Sequence, residues 1–180
     1  MRTDFFQALP AIIQTDRLQM KRTSIIDAPA LFTIWSDMEV AEYMNIEQFT
    51  TVRQAEEMIK AIEAEPHACR YTIFFNNRII GSLGINEFNS LDNTLEVGYE
   101  LAKEFWNNGF MTELLKAFFK QIQNCLTFSG VSAKVLPENT ASIFLLEKLG
   151  FKLTTKTSEL DLYTQNVSPI FIYKFYFSQK

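Results

Sequence analysis

Apolar and polar positions alternate in two different ways along this chain. Up to about residue 65 the apolar positions recur at helical spacing. Leu31, Ile34 and Trp35 share one face after Asp27, a candidate N-cap with Pro29 in the first turn. Val52, Ala55, Met58, Ile59 and Ile62 repeat in the same way after Thr51 and Gln54, which are spaced as a capping box. A short strand, Leu18–Arg22, precedes both. Beyond residue 70 a period of two takes over. Tyr71–Phe75 and Ile79–Ile85 flank Asn76-Asn77, a hairpin signal, and Thr94–Leu101 alternates as a third strand.

The strongest helical stripe follows. Phe110, Met111, Leu114, Leu115, Phe118, Phe119 and Ile122 line one face of Phe110–Leu126. Ala133–Leu136 reads as a strand and Thr140–Leu149 as a helix stopped by Gly150. Phe151–Thr157 and Ile170–Phe177 close the sheet. The order predicts an α+β domain with a mixed central sheet of about seven strands flanked by about four helices. No linker or repeat interrupts residues 1–180, so the expectation is one domain.

Composition narrows the function. The 180 residues suffice for one sizeable core, and 17 phenylalanines make that core aromatic. Net charge is −4 with no long basic run, which argues against a nucleic-acid partner and weakly favours cationic substrates. Apolar runs are too short for a bilayer, so no membrane partner is expected. Cys69 and Cys125, with no signal peptide, read as reduced thiols in a cytoplasmic protein. His67 is the single histidine and sits in a polar Glu65-Pro66-His67 loop, a poor setting for Ser–His or Cys–His chemistry. No His/Cys/Asp cluster suggests a metal.

One segment carries chemistry. The strand from Leu95 runs into Trp106-Asn107-Asn108-Gly109, and that turn opens directly onto the best helix. Free N–H groups and the positive end of the helix dipole suit such a turn to a phosphate or pyrophosphate. A plain strand–turn–helix connection gives the same pattern. Thirty residues on come Pro137-Glu138-Asn139-Thr140-Ala141-Ser142 and Glu147-Lys148-Leu149-Gly150-Phe151.

Together these segments resemble the GNAT N-acetyltransferase superfamily, and within it the ribosomal-protein N-terminal acetyltransferase branch of RimJ/RimL type. The similarity runs from Thr15 to about Phe177. Thr15–Lys21 is similar to the branch's opening strand, and Asp27–Asp37 with Val40–Met44 to its first helix and following loop. The resemblance implies acetyl transfer from acetyl-CoA to a primary amine in a ternary complex, with no metal. The acceptor implied is a protein N-terminus; a small amine such as an amino acid, polyamine or antibiotic is the alternative. A weak CoA-binding or interaction module is a third reading, and both monomer and homodimer stay open.

Residue by residue, the resemblance lays pantetheine along Val97–Leu101, on backbone groups of Val97 and Tyr99. It lays pyrophosphate over Trp106, Asn107, Asn108, Gly109, Phe110, Met111 and Thr112. The superfamily pattern there is Gln/Arg-x-x-Gly-x-Gly/Ala. Gly109 matches its central glycine, while Met111 and Asn107 stand where small residues are common. Asn139 falls beside the pantetheine arm and is also a ready N-cap. Many relatives carry a proton-donating tyrosine where this chain has Leu146. The branch commonly has serine at the place of Ser142, which becomes the candidate partner of the leaving thiolate. Strand parity puts Glu96, Gly98 and Glu100 on one face and Val97, Tyr99 and Leu101 on the other. Glu96 is the candidate general base, with Glu87, Glu159 and Asp161 as weaker alternatives. A solvated strand-edge charge is its other reading. Tyr99 and Trp35 read as packing aromatics, and Trp35 and Tyr43 fall in the region bordering the acceptor cleft.

Overall fold

A computed structural model describes residues 5–178. Eight strands form one sheet: β1 (Ile12–Gln14), β2 (Gln19–Arg22), β3 (Cys69–Phe75), β4 (Arg78–Asn89), β5 (Thr94–Leu101), β6 (Gly130–Val135), β7 (Lys152–Asp161) and β8 (Asn166–Tyr176). Their spatial order is β1-β2-β3-β4-β5-β6-β8-β7. Five α-helices pack around them: α1 (Ala28–Trp35), α2 (Met38–Ala41), α3 (Val52–Ala64), α4 (Phe110–Cys125) and α5 (Thr140–Lys148), with 3₁₀ turns at Ile25–Asp27 and Lys103–Phe105. The α+β expectation stands. The eighth strand is β1, a three-residue edge piece, and the fifth helix is the four-residue α2. Both are too short to carry a period.

Local chemistry accounts for several boundaries. Asn76 and Asn77 hold φ of 48° and 63°, the double left-handed turn that joins β3 to β4. Thr51 and Gln54 form the capping box of α3. Asp27 behaves differently from the expectation. It stands at the start of α1, but its carboxylate accepts from Ser24 N at 3.0 Å and Thr72 Oγ1 at 2.8 Å, so it caps the preceding 3₁₀ turn and ties it to β3.

All neighbours in the sheet are antiparallel except β5 and β6, joined by the α4 crossover. All seven stripe residues of α4 are buried. They meet Tyr71, Ile73, Leu83, Ile85, Leu95 and Val97 from one sheet face, with Leu146 and Phe151 from α5 and the residues after it. The opposite face is covered by a second apolar cluster built from α1, α2 and α3 around Leu31, Trp35, Ala55 and Ile59. Between that cluster and the sheet lie buried polar side chains, Arg70, Thr72, Ser82 and Glu100. Among the described residues no helix is long and apolar enough to cross a membrane.

Candidate active site

The parallel pair β5–β6 opens partway along its length. Pairing runs Thr94↔Gly130, Leu95↔Val131 and Glu96↔Ser132, and stops there. Past that point β5 stays with β4 as far as Leu101↔Gly81, while β6 stays with β8 as far as Val135↔Phe171. The two strands therefore diverge and leave a seam edged by backbone polar groups. Ala102 N–H donates to Ile80 C=O at 2.8 Å, towards β4. Alternation then turns the N–H and C=O of Val97, Tyr99 and Leu101 into the seam. The Leu101 carbonyl there accepts the Trp106 indole N–H at 2.8 Å. Groups of this kind can accept an added extended chain as a strand would.

Below the seam lies the turn before α4. Asn107 and Gly109 both hold left-handed backbone, φ 61° and 73°. That requirement explains two residue choices: Gly109 for its freedom, and Asn107 because asparagine tolerates the region better than most side chains. The Asn108 amide donates to the Phe105 and Trp106 carbonyls at 3.1 and 2.9 Å, closing the turn on itself. The first bond of the α4 ladder is Glu113 N–H to Gly109 C=O at 3.2 Å. The N–H groups of Phe110, Met111 and Thr112 thus precede the ladder, at the positive end of a 16-residue helix. Met111 does not obstruct them, because its side chain is buried in the core. Space beside Gly109 is also open: a Cβ there would meet only Arg17 Nη2, at 3.7 Å. Backbone conformation, more than crowding, calls for glycine.

Arg17 is a residue the sequence did not single out here. Its Nη1 donates to Asn108 C=O at 3.0 Å, its Nε pairs with Glu113 at 2.7 Å, and its guanidinium lies over the Phe110 ring at 4.6 Å. Thr15 Oγ1 also donates to Glu113, at 2.6 Å. Burial pushes the Glu113 carboxyl up, but the Thr15 and Arg17 bonds outweigh it and leave it below the usual range. The opening segment of the chain thereby clamps the turn from 91 residues away.

At the helix end facing Tyr99, Asn139 Oδ1 accepts Ser142 N–H at 3.1 Å and caps α5. The Ser142 hydroxyl is left for Tyr99, whose Oη lies 2.7 Å from it. Burial raises the Tyr99 hydroxyl to about 12, against a smaller lowering by Ser142. Tyr99 thus packs, as expected, but it also bonds. Leu146 is wholly buried in the core.

Glu96 lies on the other strand face. Burial pushes its carboxyl up, Lys134 and Asn86 pull it down, Glu87 pushes it up again, and the net shift is upward. Lys134 Nζ is 3.4 Å from Glu96 and 2.8 Å from Glu159. A solvated strand-edge charge is not what the fold produces here. Of the alternatives, Glu87 is exposed and registers opposite Glu96, Glu159 holds Lys134, and Asp161 caps the β7–β8 turn through Tyr163 N and Thr164 N at 2.9 and 3.3 Å. Trp35 is fully buried, and its indole donates to Glu100 Oε1 at 2.9 Å. Tyr43 is exposed on the loop after α2. From that loop Asn45 Oδ1 accepts Leu162 N–H at 2.8 Å, and Gln48 Nε2 donates to Tyr163 C=O at 3.3 Å, so the loop and the β7–β8 turn are bridged. His67 lies between the Phe5 and Phe88 rings, and its Nδ1 stands 3.6 Å from Glu65 Oε1. Cys69 and Cys125 are not joined as a disulfide. Among the described residues no three His, Cys, Asp or Glu side chains converge as a metal would require. A hollow of about 470 Å³ beside α3 shares no residue with β5, α4 or α5.

Comparison with known proteins agrees with this geometry. Residues 17–152 match the acetyltransferase (GNAT) domain family. The chain is 37% identical over 145 residues to the uncharacterized N-acetyltransferase p20 of Bacillus licheniformis, covering 78% of this chain and 82% of that protein. It is 32% identical over 146 residues to the uncharacterized N-acetyltransferase YoaA of Bacillus subtilis, with the same coverage of each. Among solved structures, an acetyltransferase from Salmonella typhimurium that modifies the N-terminal serine of a 50S ribosomal subunit protein superposes with a TM-score of 0.82 at 18% identity, over 93% of this chain and 99% of that one. RimJ of Mycobacterium smegmatis, in complex with CoA-disulfide, gives 0.82 at 16% identity over 94% and 88%. At those identities the two structures speak for the fold. The family match and the Bacillus relatives speak for more: the chain belongs to the GNAT acetyltransferase family and is an acetyl-CoA-dependent acetyltransferase.

Proposed function

We propose that this enzyme transfers acetyl from acetyl-CoA to the primary amine of a protein N-terminus, in the manner of the RimJ/RimL-like branch. The observation that carries the reading is the seam opened between β5 and β6, with Glu96 on one strand face and the Ser142–Tyr99 pair on the other. Val97 and Tyr99 offer backbone groups to the pantetheine arm, with Asn139 beside it. The turn from Trp106 to Gly109 and the first N–H groups of α4, from Phe110 to Thr112, hold the pyrophosphate.

In the reaction the acceptor nitrogen attacks the thioester carbonyl. The ammonium has first given one proton to Glu96, directly or through water; as the C–N bond forms and the C–S bond breaks, the nitrogen's second proton passes to the departing thiolate. The raised carboxyl of Glu96 makes it a better base than an ordinary glutamate. Tyr99, at about 12, keeps its proton beside a thiol that titrates near ~8.5. It therefore donates a hydrogen bond to Ser142 Oγ and leaves the serine hydrogen for the developing thiolate.

The bridge between the Asn45 loop and the β7–β8 turn favours a slender acceptor. An unstructured N-terminal tail meets that demand. A small free amine meets it too, and is the second reading. Thiol release measured against a panel of N-terminal peptides and free amines decides between them. Turnover confined to peptides supports the first reading; turnover confined to polyamines, amino acids or aminoglycosides replaces it. Glu96→Gln is expected to slow turnover without weakening acetyl-CoA binding, and an unchanged rate removes Glu96 from the base role.

A further inference from the structure

A chain of polar groups runs from α1 across the middle of β5, through the buried Trp35, Glu100, Ser82 and Arg70, to the exposed Asn86 on β4. The Trp35 indole donates to Glu100 Oε1 at 2.9 Å, and Ser82 Oγ bonds the same oxygen. Arg70 Nη1 donates to Ser82 Oγ at 2.9 Å and to Glu100 Oε2 at 3.3 Å. Its other prong, Nη2, donates to Asn86 Oδ1 at 2.8 Å. Asn86 stands where the β4–β5 register shifts between Ile85 and Glu87. The shift swings its amide over Gly98, and a Cβ on Gly98 would meet Asn86 Nδ2 at 2.5 Å and Oδ1 at 3.1 Å. Glycine at 98 is what admits the amide. Gly98 separates Glu96 from Glu100 on one strand face, so the amide lies between the two carboxylates.

We propose that Asn86 is a positioning residue for Glu96, oriented by the Trp35–Glu100–Arg70 chain. The inference rests on reading Glu96 as the base. Because Arg70 occupies Oδ1, the Nδ2 end is the one turned to Glu96, where it holds the carboxylate in its charged form and in one orientation. Other charges also face Glu96: Lys134 from β6, Glu159 from β7 through Lys134, and Glu87 from β4, with His67 lining the hollow beside Asn86 and Glu87. Unlike Lys134, Glu159 and Glu87, Asn86 is neutral, and Arg70 holds its Oδ1. It can therefore fix direction without adding charge.

The test is direct titration of Glu96. Protein labelled with ¹³C at glutamate carboxyls is followed by NMR across pH, with Glu96→Gln assigning the resonance. Asn86→Ala, Asn86→Asp and Arg70→Lys are compared, and their melting curves establish that they fold. The Glu96 midpoint is expected to rise in Asn86→Ala and further in Asn86→Asp, where a second carboxylate faces it. Arg70→Lys keeps the charge, loses the fork and moves the midpoint the same way. The acid limb of the turnover profile moves in step, with the rate at fixed pH falling roughly tenfold per pH unit of displacement. A Glu96 midpoint unmoved in the folded variants, with Glu96→Gln inactive, overturns the positioning role and leaves the base standing. A midpoint that moves while Glu96→Gln turns over normally supports the hold on Glu96 and overturns the base instead.

Discussion

The Tyr99 hydroxyl lies 2.7 Å from that of Ser142, across 43 residues of sequence, at the point where β5 has parted from β6. The pair brings a strand and a helix end together at the same edge of the seam. Ser142 uses its backbone N–H for the Asn139 cap, so its hydroxyl has no capping duty.

Ser142→Ala is therefore expected to separate rate from stability. Losing one contact to a developing charge costs about 2–4 kcal/mol of barrier, which slows turnover roughly ten- to a thousandfold. The melting temperature should barely move. Tyr99→Phe should slow the enzyme less, and the double variant should be no slower than Ser142→Ala alone, because the two act as one unit. Steady-state kinetics on all three, with melting curves, checks this. Intact turnover with lowered stability in Ser142→Ala assigns the serine a structural role.

Gly109 should respond to conformation and not to volume. Its φ of 73° disfavours a Cβ although there is room for one. Gly109→Ala should cost about 1–2 kcal/mol, Gly109→Val more, and Gly109→Asn least of the three, since asparagine enters this region more readily. Acetyl-CoA affinity, read by calorimetry, should fall in the same order if the first turn of α4 holds the pyrophosphate. Undiminished affinity in Gly109→Val moves that site elsewhere.

What was legible in the sequence was local. The seven-residue stripe of α4 is buried as its spacing demands, and Asn76-Asn77 makes its turn because the signal lies within two adjacent residues. Strand ends were less legible. β7 runs to Asp161, beyond the expected Thr157, because the covered residues past that point, Glu159 and Asp161, are charged and give no apolar alternation to read. Long-range polar pairs left no trace at all. Arg17 meets Glu113 from 96 residues away, and Arg70 meets Glu100 from 30. Parity placed Glu96 and Glu100 on one face but did not show that Glu100 would be buried against Trp35. Only the folded sheet puts those partners in reach.

The Glu113 clamp predicts an acid sensitivity. Its carboxyl titrates below the ordinary 4.5 in the folded protein because Thr15 and Arg17 favour its charged form over the cost of burial. A depressed folded pKa adds stability above the unfolded value and loses it as pH falls through the folded one. Wild type should therefore lose melting temperature below pH 4.5 more steeply than Glu113→Gln, while the two curves run parallel above pH 6. Curves that stay parallel throughout the acid range remove the clamp from the stability balance. Arg17 is partly exposed, so added salt should weaken the effect.

The Arg70–Glu100 pair is buried on both sides, with 7% and 6% of the side chains exposed, and this sets a different expectation. Removing one partner strands the other. Glu100→Ala should cost about 3–5 kcal/mol, because Arg70 would keep its charge with no carboxylate beside it. Glu100→Gln keeps an acceptor for the Trp35 indole and should cost less. Trp35→Phe deletes one bond to a charged group, worth about 1.5–3 kcal/mol, while the Arg70 pairing survives. Replacing both ends, as Arg70→Met with Glu100→Leu, removes the charges together and should recover most of the stability lost in Glu100→Ala. Chemical denaturation of the four variants measures these differences. The double variant also separates stability from chemistry. With Arg70 gone, nothing holds Asn86 Oδ1, so a protein that melts like the wild type should still turn over with its acid limb displaced upward. A double variant with wild-type stability and a wild-type pH profile would mean that the chain is structural only.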